Sequence, residues 1–176
     1  LMRNSVPENI QEHSHQVAVL AHALALISQK IFDNRTIDPD RCATAALFHD
    51  ASEILTGDLP TPIKYNNPDI MTAYRQVEAE ASEKLLGMLP EALRQAYVPL
   101  LTETDPEIRR LVKAADKLSA LVKCMEERKA GNREFLSAEQ ATLARLREMA
   151  LPEVNYFLEQ FLPGFEKNLD ELGQLD

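Results

Sequence analysis

Four polar residues occur in segments of this chain whose other residues are mostly apolar. His13 lies on the apolar stripe of the first predicted helix, and His49 and Asp50 follow an apolar run. Asp116 lies in mid-helix between core residues. Taken singly, each is more simply a satisfied core residue or a surface ion pair, but a buried carboxylate is costly unless it is paired, hydrogen-bonded or bound to a metal. Together, two imidazoles and two carboxylates from three helices are a ligand set that suits a borderline transition ion, so the sequence predicts a metal site.

Glu53 follows His49 by four residues and Asp50 by three. On one continuous helix this spacing places the three side chains on the same side. Such a carboxylate can orient a ligand histidine, or it can act as a general base or acid toward water. The alternative is a solvent-facing glutamate near a helix end. We expect one of the functional roles.

The segment that follows, Asp58-Leu59-Pro60-Thr61-Pro62, predicts an ordered loop, because two prolines close to Gly57 exclude a helix. Its carboxylate, backbone amides and hydroxyl, with the nearby Lys64, could bind a sugar phosphate. Considered alone, such a loop is more often ordinary turn chemistry.

The elements that must position these residues are helices, and the sequence predicts an all-α fold, a helical bundle. Only five glycines occur, and alanine, leucine and glutamate are abundant. No segment shows the sustained alternation of a strand. Asn9 with Glu12 forms a capping-box pattern, and Asp38 and Asp105 each precede a proline, which is typical of a helix start. The predicted helices are 9–30, 39–55, 69–86, 90–101, 106–127, 135–149 and 152–168.

Composition limits the classes of function. The 176 residues, 45% hydrophobic and 27% charged, predict one globular domain over 1–176. The net charge of −9 argues against a nucleic-acid polymer as partner, although a small phosphate substrate fits if a metal supplies positive charge. Cys42 and Cys124 are expected to be reduced, buried thiols of a cytoplasmic protein. No signal peptide or membrane span is predicted.

These motifs resemble the HD-domain phosphohydrolases, and among them the bacterial 5′-deoxynucleotidases. The resemblance rests on 12–14, on the whole run 46–64 and on 113–116, and it continues through 126–132 and 161–163. It implies a metal held at His13, His49, Asp50 and Asp116, with Glu53 as the catalytic residue. It also implies substrate contacts at seven positions: His13, Asp50, Asp58, Leu59, Pro60, Thr61 and Asp116.

The implied reaction is hydrolysis of deoxyribonucleoside 5′-monophosphates to nucleosides and phosphate by a cytoplasmic homodimer. The implied cofactor is one divalent transition ion such as cobalt or manganese. The family carries an Arg-Trp pair just before the segment that matches 1–4, where it orients phosphate and senses the missing 2′-hydroxyl. That pair would precede Leu1, so we interpret the chain as lacking an N-terminal piece.

Three alternatives stay open on the motifs alone. An HD-type hydrolase of nucleoside triphosphates or guanosine polyphosphates would share the four metal ligands. A metal-binding module could sense nucleotides without turnover, although the intact Glu53 argues against it. The chain could also be a structural scaffold without a metal, but the inward position of all four polar residues would then have to be accidental. A two-metal cyclic-nucleotide phosphodiesterase is disfavoured, because no histidine follows His49.

Overall fold

A computed structural model describes residues 4–58 and 67–173 of the chain, and these residues form α-helices and one 3₁₀ turn, with no strand among them. The all-α prediction is confirmed. In chain order the helices are α1 Ile10–Lys30, α2 Pro39–Phe48, α3 Glu53–Thr56, α4 Pro68–Gly87, α5 Glu91–Leu101, α6 Pro106–Lys129, α7 Leu136–Glu148, α8 Pro152–Gln160, α9 Leu162–Glu166 and α10 Leu169–Leu172. The 3₁₀ turn, Arg133–Phe135, precedes α7.

Side chains that satisfy backbone N–H groups begin the helices where the sequence predicts. The Asn9 side chain accepts the N–H of Glu12, whose carboxylate accepts the N–H of Asn9, so the capping box forms at α1. The side chains of Asp38 and Asp105 accept backbone N–H groups in the first turns of α2 and α6, and a proline follows each of them.

The prediction that the second helix continues past His49 and Asp50 is wrong. The N–H of His49 bonds to the carbonyl of Ala46, three residues back, and the N–H of Glu53 bonds in the same way to the carbonyl of Asp50. These three-residue bonds wind the chain more tightly than an α-helix, so α2 ends and α3 begins as a separate turn. Gly57 ends α3 at φ 69°, a conformation that glycine adopts without strain.

The last predicted helix, 152–168, is also divided. α8 ends at Gln160, and α9 begins after Phe161. Pro163 explains the break, because proline has no N–H to donate to the carbonyl four residues earlier and its ring crowds that carbonyl.

A single hydrophobic cluster lies between α1, α2, α6 and α8. Leu24, Leu118 and Val154 are completely buried in it. A polar link joins three of these helices, since Glu153 on α8 accepts hydrogen bonds from Ser28 on α1 at 2.7 Å and from Arg110 on α6 at 3.3 Å. α1 and α6 therefore lie side by side in a fixed register, and each carries one part of the site.

The prediction about the cysteines has a direct structural counterpart. Cys42 and Cys124 are both buried and unpaired, as expected. None of the described helices has the length and apolarity that crossing a bilayer requires.

Candidate metal centre

Three helices bring imidazole and carboxylate groups together at one point. His13 comes from α1, His49 from the end of α2 and Asp116 from the middle of α6, and one donor atom of each lies within 4.8 Å of the others. His13 Nε2 is 3.3 Å from Asp116 Oδ1. Asp50 Oδ2 lies 3.1 Å from His49 Nε2 and 3.5 Å from His13 Nε2. The four residues that the sequence predicted as ligands are thus neighbours.

The backbone determines which nitrogen His49 offers. Its Nδ1 lies 2.7 Å from the carbonyl oxygen of Ala46, and because a carbonyl only accepts, Nδ1 carries the hydrogen. Nε2 then carries a lone pair, and this buried atom has no hydrogen-bond partner among the described residues. The oxygen nearest to it, Asp50 Oδ2, is also an acceptor. Two acceptors 3.1 Å apart require a proton or a cation between them.

Hydrogen bonds with neighbouring side chains also place the hydrogen of His13 on Nδ1. Ser119 donates its hydroxyl hydrogen to Gln16 Oε1 at 2.6 Å, and its oxygen lies 3.4 Å from His13 Nδ1. Because the Ser119 hydrogen is already donated, its oxygen accepts from Nδ1–H. The Glu8 carboxylate, 3.7 Å from Nδ1, favours a hydrogen on the same nitrogen. His13 therefore presents Nε2 to Asp50 and Asp116.

Opposite charges perturb the titration of these groups. The hydrogen bond with Asp116 raises the pKa of His13 above 6.5, although burial opposes it. Burial lowers the pKa of His49, but the Asp50 carboxylate outweighs it and the net shift is upward. Burial raises the pKa of Asp116, whereas the two imidazoles bring it below 3.8. Without a metal ion, the negative charges of the two carboxylates therefore favour protons on the two imidazoles.

The donor set fits a divalent cation. Two Nε2 lone pairs and two carboxylates converge, and each imidazole donates its other N–H to an oxygen, which is the arrangement usual for ligand histidines. Borderline first-row ions accept such a mixture of nitrogen and oxygen. The residues present are therefore a possible His/Asp metal site.

Glu53 is the first residue of α3, directly after the turn that carries His49 and Asp50. Its residue exposure of 9% excludes the solvent-facing alternative. Asp58, by contrast, is exposed and follows Gly57. The predicted substrate positions Leu59, Pro60 and Thr61 lie outside the described residues.

A cleft of about 380 Å³ opens beside the cluster, between α2, the end of α5 and α6. His49 and Asp116 are part of its lining. A second, wider cleft of about 890 Å³ lies between α4 and the turn before α3, and His49 and Ser52 line it. A small molecule can thus approach His49 from two sides.

The groups that orient the histidines were not predicted from the sequence. Ser119 follows Asp116 by three residues, and Gln16 follows His13 by three, so helical spacing could have placed each on the face of its ligand candidate. The carbonyl of Ala46 leaves no signal in a side-chain pattern.

Solved structures share this helical architecture. The crystal structure of an HD-domain phosphohydrolase from Listeria innocua matches with a TM-score of 0.77 and 26% identity, covering 99% of this chain and 87% of that one. A protein from Pyrococcus horikoshii has the same fold, with a TM-score of 0.65 and 23% identity over 92% of this chain and 84% of that one. The fold is that of an HD-type phosphohydrolase.

Sequence relatives narrow the class. A model of the 5′-deoxynucleotidase YfbR-like family matches residues 1–165. A 5′-deoxynucleotidase of Vibrio cholerae is 50% identical over 175 residues, 98% of this chain and 90% of that protein. One from Erwinia tasmaniensis is 49% identical over 177 residues, 99% of this chain and 88% of that protein. The chain belongs to the YfbR-like 5′-deoxynucleotidase family, and the resemblance noted from its motifs is confirmed.

Proposed function

We propose that this protein hydrolyses deoxyribonucleoside 5′-monophosphates to deoxyribonucleosides and phosphate, with His13, His49, Asp50 and Asp116 holding one divalent cation. The observation that carries the proposal is the pair of imidazole Nε2 atoms facing two carboxylates, in a chain of the YfbR-like family. His13, Asp50 and Asp116 would also border the bound substrate, with residues 1–176 acting as one domain.

The histidines and the aspartates of the site have different proposed roles. The histidines present fixed lone pairs, because Ala46 and Ser119 hold their other nitrogens. Asp50 and Asp116 supply negative charge that favours a cation over a neutral ligand. When bound, a divalent ion polarises a phosphoryl oxygen and lowers the pKa of water. Cobalt or manganese suits the mixed donor set.

Glu53 is the proposed catalytic residue. Its carboxylate is buried at the start of α3, three residues after Asp50, so it can orient a water molecule or accept its proton in a site of low solvent content. The loop of Asp58, Leu59, Pro60 and Thr61 is the proposed contact for the deoxyribose, and Pro60 restricts its conformations.

We further propose that the enzyme works in the cytoplasm as a homodimer. Its two cysteines are unpaired, as a reducing compartment requires. None of the residues of α5 is fully buried, and Leu93 and Val98 on it are exposed, so this helix has apolar surface to offer a second copy. Sedimentation velocity would distinguish a dimer from a monomer.

A phosphate-release screen tests the function. The protein, freed of metal and resupplied with cobalt or manganese, is assayed on matched ribo- and deoxyribonucleoside monophosphates. An unsatisfied 2′-hydroxyl in a fitted pocket costs about 1–3 kcal/mol, so kcat/KM should favour the deoxynucleotide by about 5-fold or more. Release from none of the monophosphates would refute the function, and faster release from triphosphates would redirect it to another HD-type reaction.

A chain extended before Leu1 by the Arg-Trp segment that the family resemblance implies is the matched comparison. Selectivity that appears only in the longer chain would place the group that senses the 2′-hydroxyl before Leu1. Equal kcat/KM values for the two sugars in the longer chain would remove the deoxy assignment and leave phosphomonoester hydrolysis intact.

A further inference from the structure

α6 carries three cationic side chains beside the candidate metal centre. Arg109, Lys113 and Lys117 follow one another at intervals of four residues, so they share one face of the helix, and all three line the 380 Å³ cleft together with His49 and Asp116. With a rise of about 1.5 Å per residue, Lys113 lies about 4.5 Å and Arg109 about 10.5 Å along the axis from Asp116. Lys117 is the next residue after Asp116.

Within residues 4–58 and 67–173, the structure gives no hydrogen bond or ion pair to the guanidinium of Arg109 or to the ammonium groups of Lys113 and Lys117. Besides Asp116, the cleft is lined by one more carboxylate, Glu103, which accepts hydrogen bonds from Arg41 at 2.9 Å and from the backbone N–H of Asp105 at 2.8 Å. The cleft thus carries three cations and two carboxylates, and among the described residues the three cationic groups have no hydrogen bond or ion pair. In a chain of net charge −9, this is a local excess of positive charge.

We propose that Lys113 and Lys117 bind the phosphoryl group of the nucleotide and the phosphate product, and that Arg109 extends this surface toward the mouth of the cleft. The assignment rests on the proposed function and names its phosphate subsite. A phosphate dianion at the metal centre would lie within reach of the two lysines that flank Asp116. Ammonium groups form charge-assisted hydrogen bonds with phosphate oxygens, and their charge offsets the repulsion from Asp50 and Asp116.

Binding of inorganic phosphate to the metal-loaded full chain tests the subsite without requiring turnover. Lys113→Met and Lys117→Met keep the aliphatic stems and remove the charges, and Lys30→Met, on an exposed lysine at the end of α1, is the matched control. Titration calorimetry should show phosphate Kd raised about 3- to 10-fold in each lysine variant, and more in the double variant. The control should match the parent, and Lys113→Arg should recover most of the affinity.

Metal content and nucleotide kinetics complete the test. Each variant should retain one metal ion per chain, and KM for a deoxynucleotide should rise in parallel with the phosphate Kd. The proposal would be overturned if the double variant had a phosphate Kd and a KM within about 1.5-fold of the parent values. That result would mean that the two lysines only face solvent. Loss of metal together with phosphate affinity would also overturn it.

The two proposals fail separately. Weaker phosphate binding in the lysine variants of a protein that hydrolyses no nucleotide would support the subsite and refute the proposed function. Normal hydrolysis with an unchanged phosphate Kd in the double variant would support the proposed function and refute the phosphate subsite.

Discussion

Replacing Ser119 by alanine should weaken metal binding without touching a proposed ligand. The Ser119 hydroxyl is buried, 2.6 Å from Gln16 Oε1 and 3.4 Å from His13 Nδ1, so the substitution removes both hydrogen bonds. Nδ1 keeps only the longer contact of 3.7 Å with Glu8, and the imidazole loses its fixed orientation. Loss of such a partner typically costs 10- to 100-fold in metal affinity. Because the 3.4 Å bond is long, we expect about 10-fold, or roughly 1.4 kcal/mol.

Competition with a chelator measures the effect, with cobalt titrated into metal-free protein. Ser28→Ala is the matched control, because Ser28 is an equally buried hydroxyl that donates to Glu153 at 2.7 Å and lies outside the cluster. Both substitutions should cost about 1 kcal/mol of unfolding free energy, but only Ser119→Ala should raise the cobalt Kd. A cobalt Kd for Ser119→Ala within twofold of that for Ser28→Ala would refute this account of how His13 is oriented.

Three further outcomes are expected. Glu53→Gln should lower kcat by about 10²–10⁴-fold with one metal still bound per chain; loss of the metal, measured by elemental analysis, would assign Glu53 to coordination instead. The pKa values of His13 and His49 are raised above 6.5. In metal-free protein the positive charges of the two imidazoles therefore stabilise the fold fully below pH 6.5, and this stabilisation is lost as the pH rises through the raised pKa values. Because these protons compete with metal, calorimetry should show affinity increasing with pH over that range, and a flat profile would contradict the competition. Leu24→Ala, at a completely buried position, should cost about 2–5 kcal/mol in urea unfolding, and a cost below 1 kcal/mol would show that Leu24 is not packed as described.

The helix starts were predictable because their causes are local. Asn9 with Glu12, and Asp38 or Asp105 before proline, satisfy N–H groups within three residues, so the signal and the structure occupy the same stretch of sequence. The convergence of His13, His49 and Asp116 was also predictable, since an apolar stripe identifies the inward face of each helix and a bundle has one interior.

The end of α2 was not predictable from the same pattern. Apolar residues continue past His49 at helical spacing. The turn there is held by backbone hydrogen bonds between residues three positions apart, and the side-chain pattern gives no signal for them. The orientation of His13 by Ser119 was missed for another reason. It joins residues 106 positions apart, and only the packing of α1 on α6 brings them together.

Anomalous diffraction at the cobalt edge, on crystals of the protein soaked in cobalt, tests the metal centre most directly. We expect one strong peak about 2.0–2.3 Å from His13 Nε2 and His49 Nε2, with oxygens of Asp50 and Asp116 completing the contacts of the chain. The absence of a peak at this cluster, or a peak there with any of the four side chains turned to solvent, would contradict it.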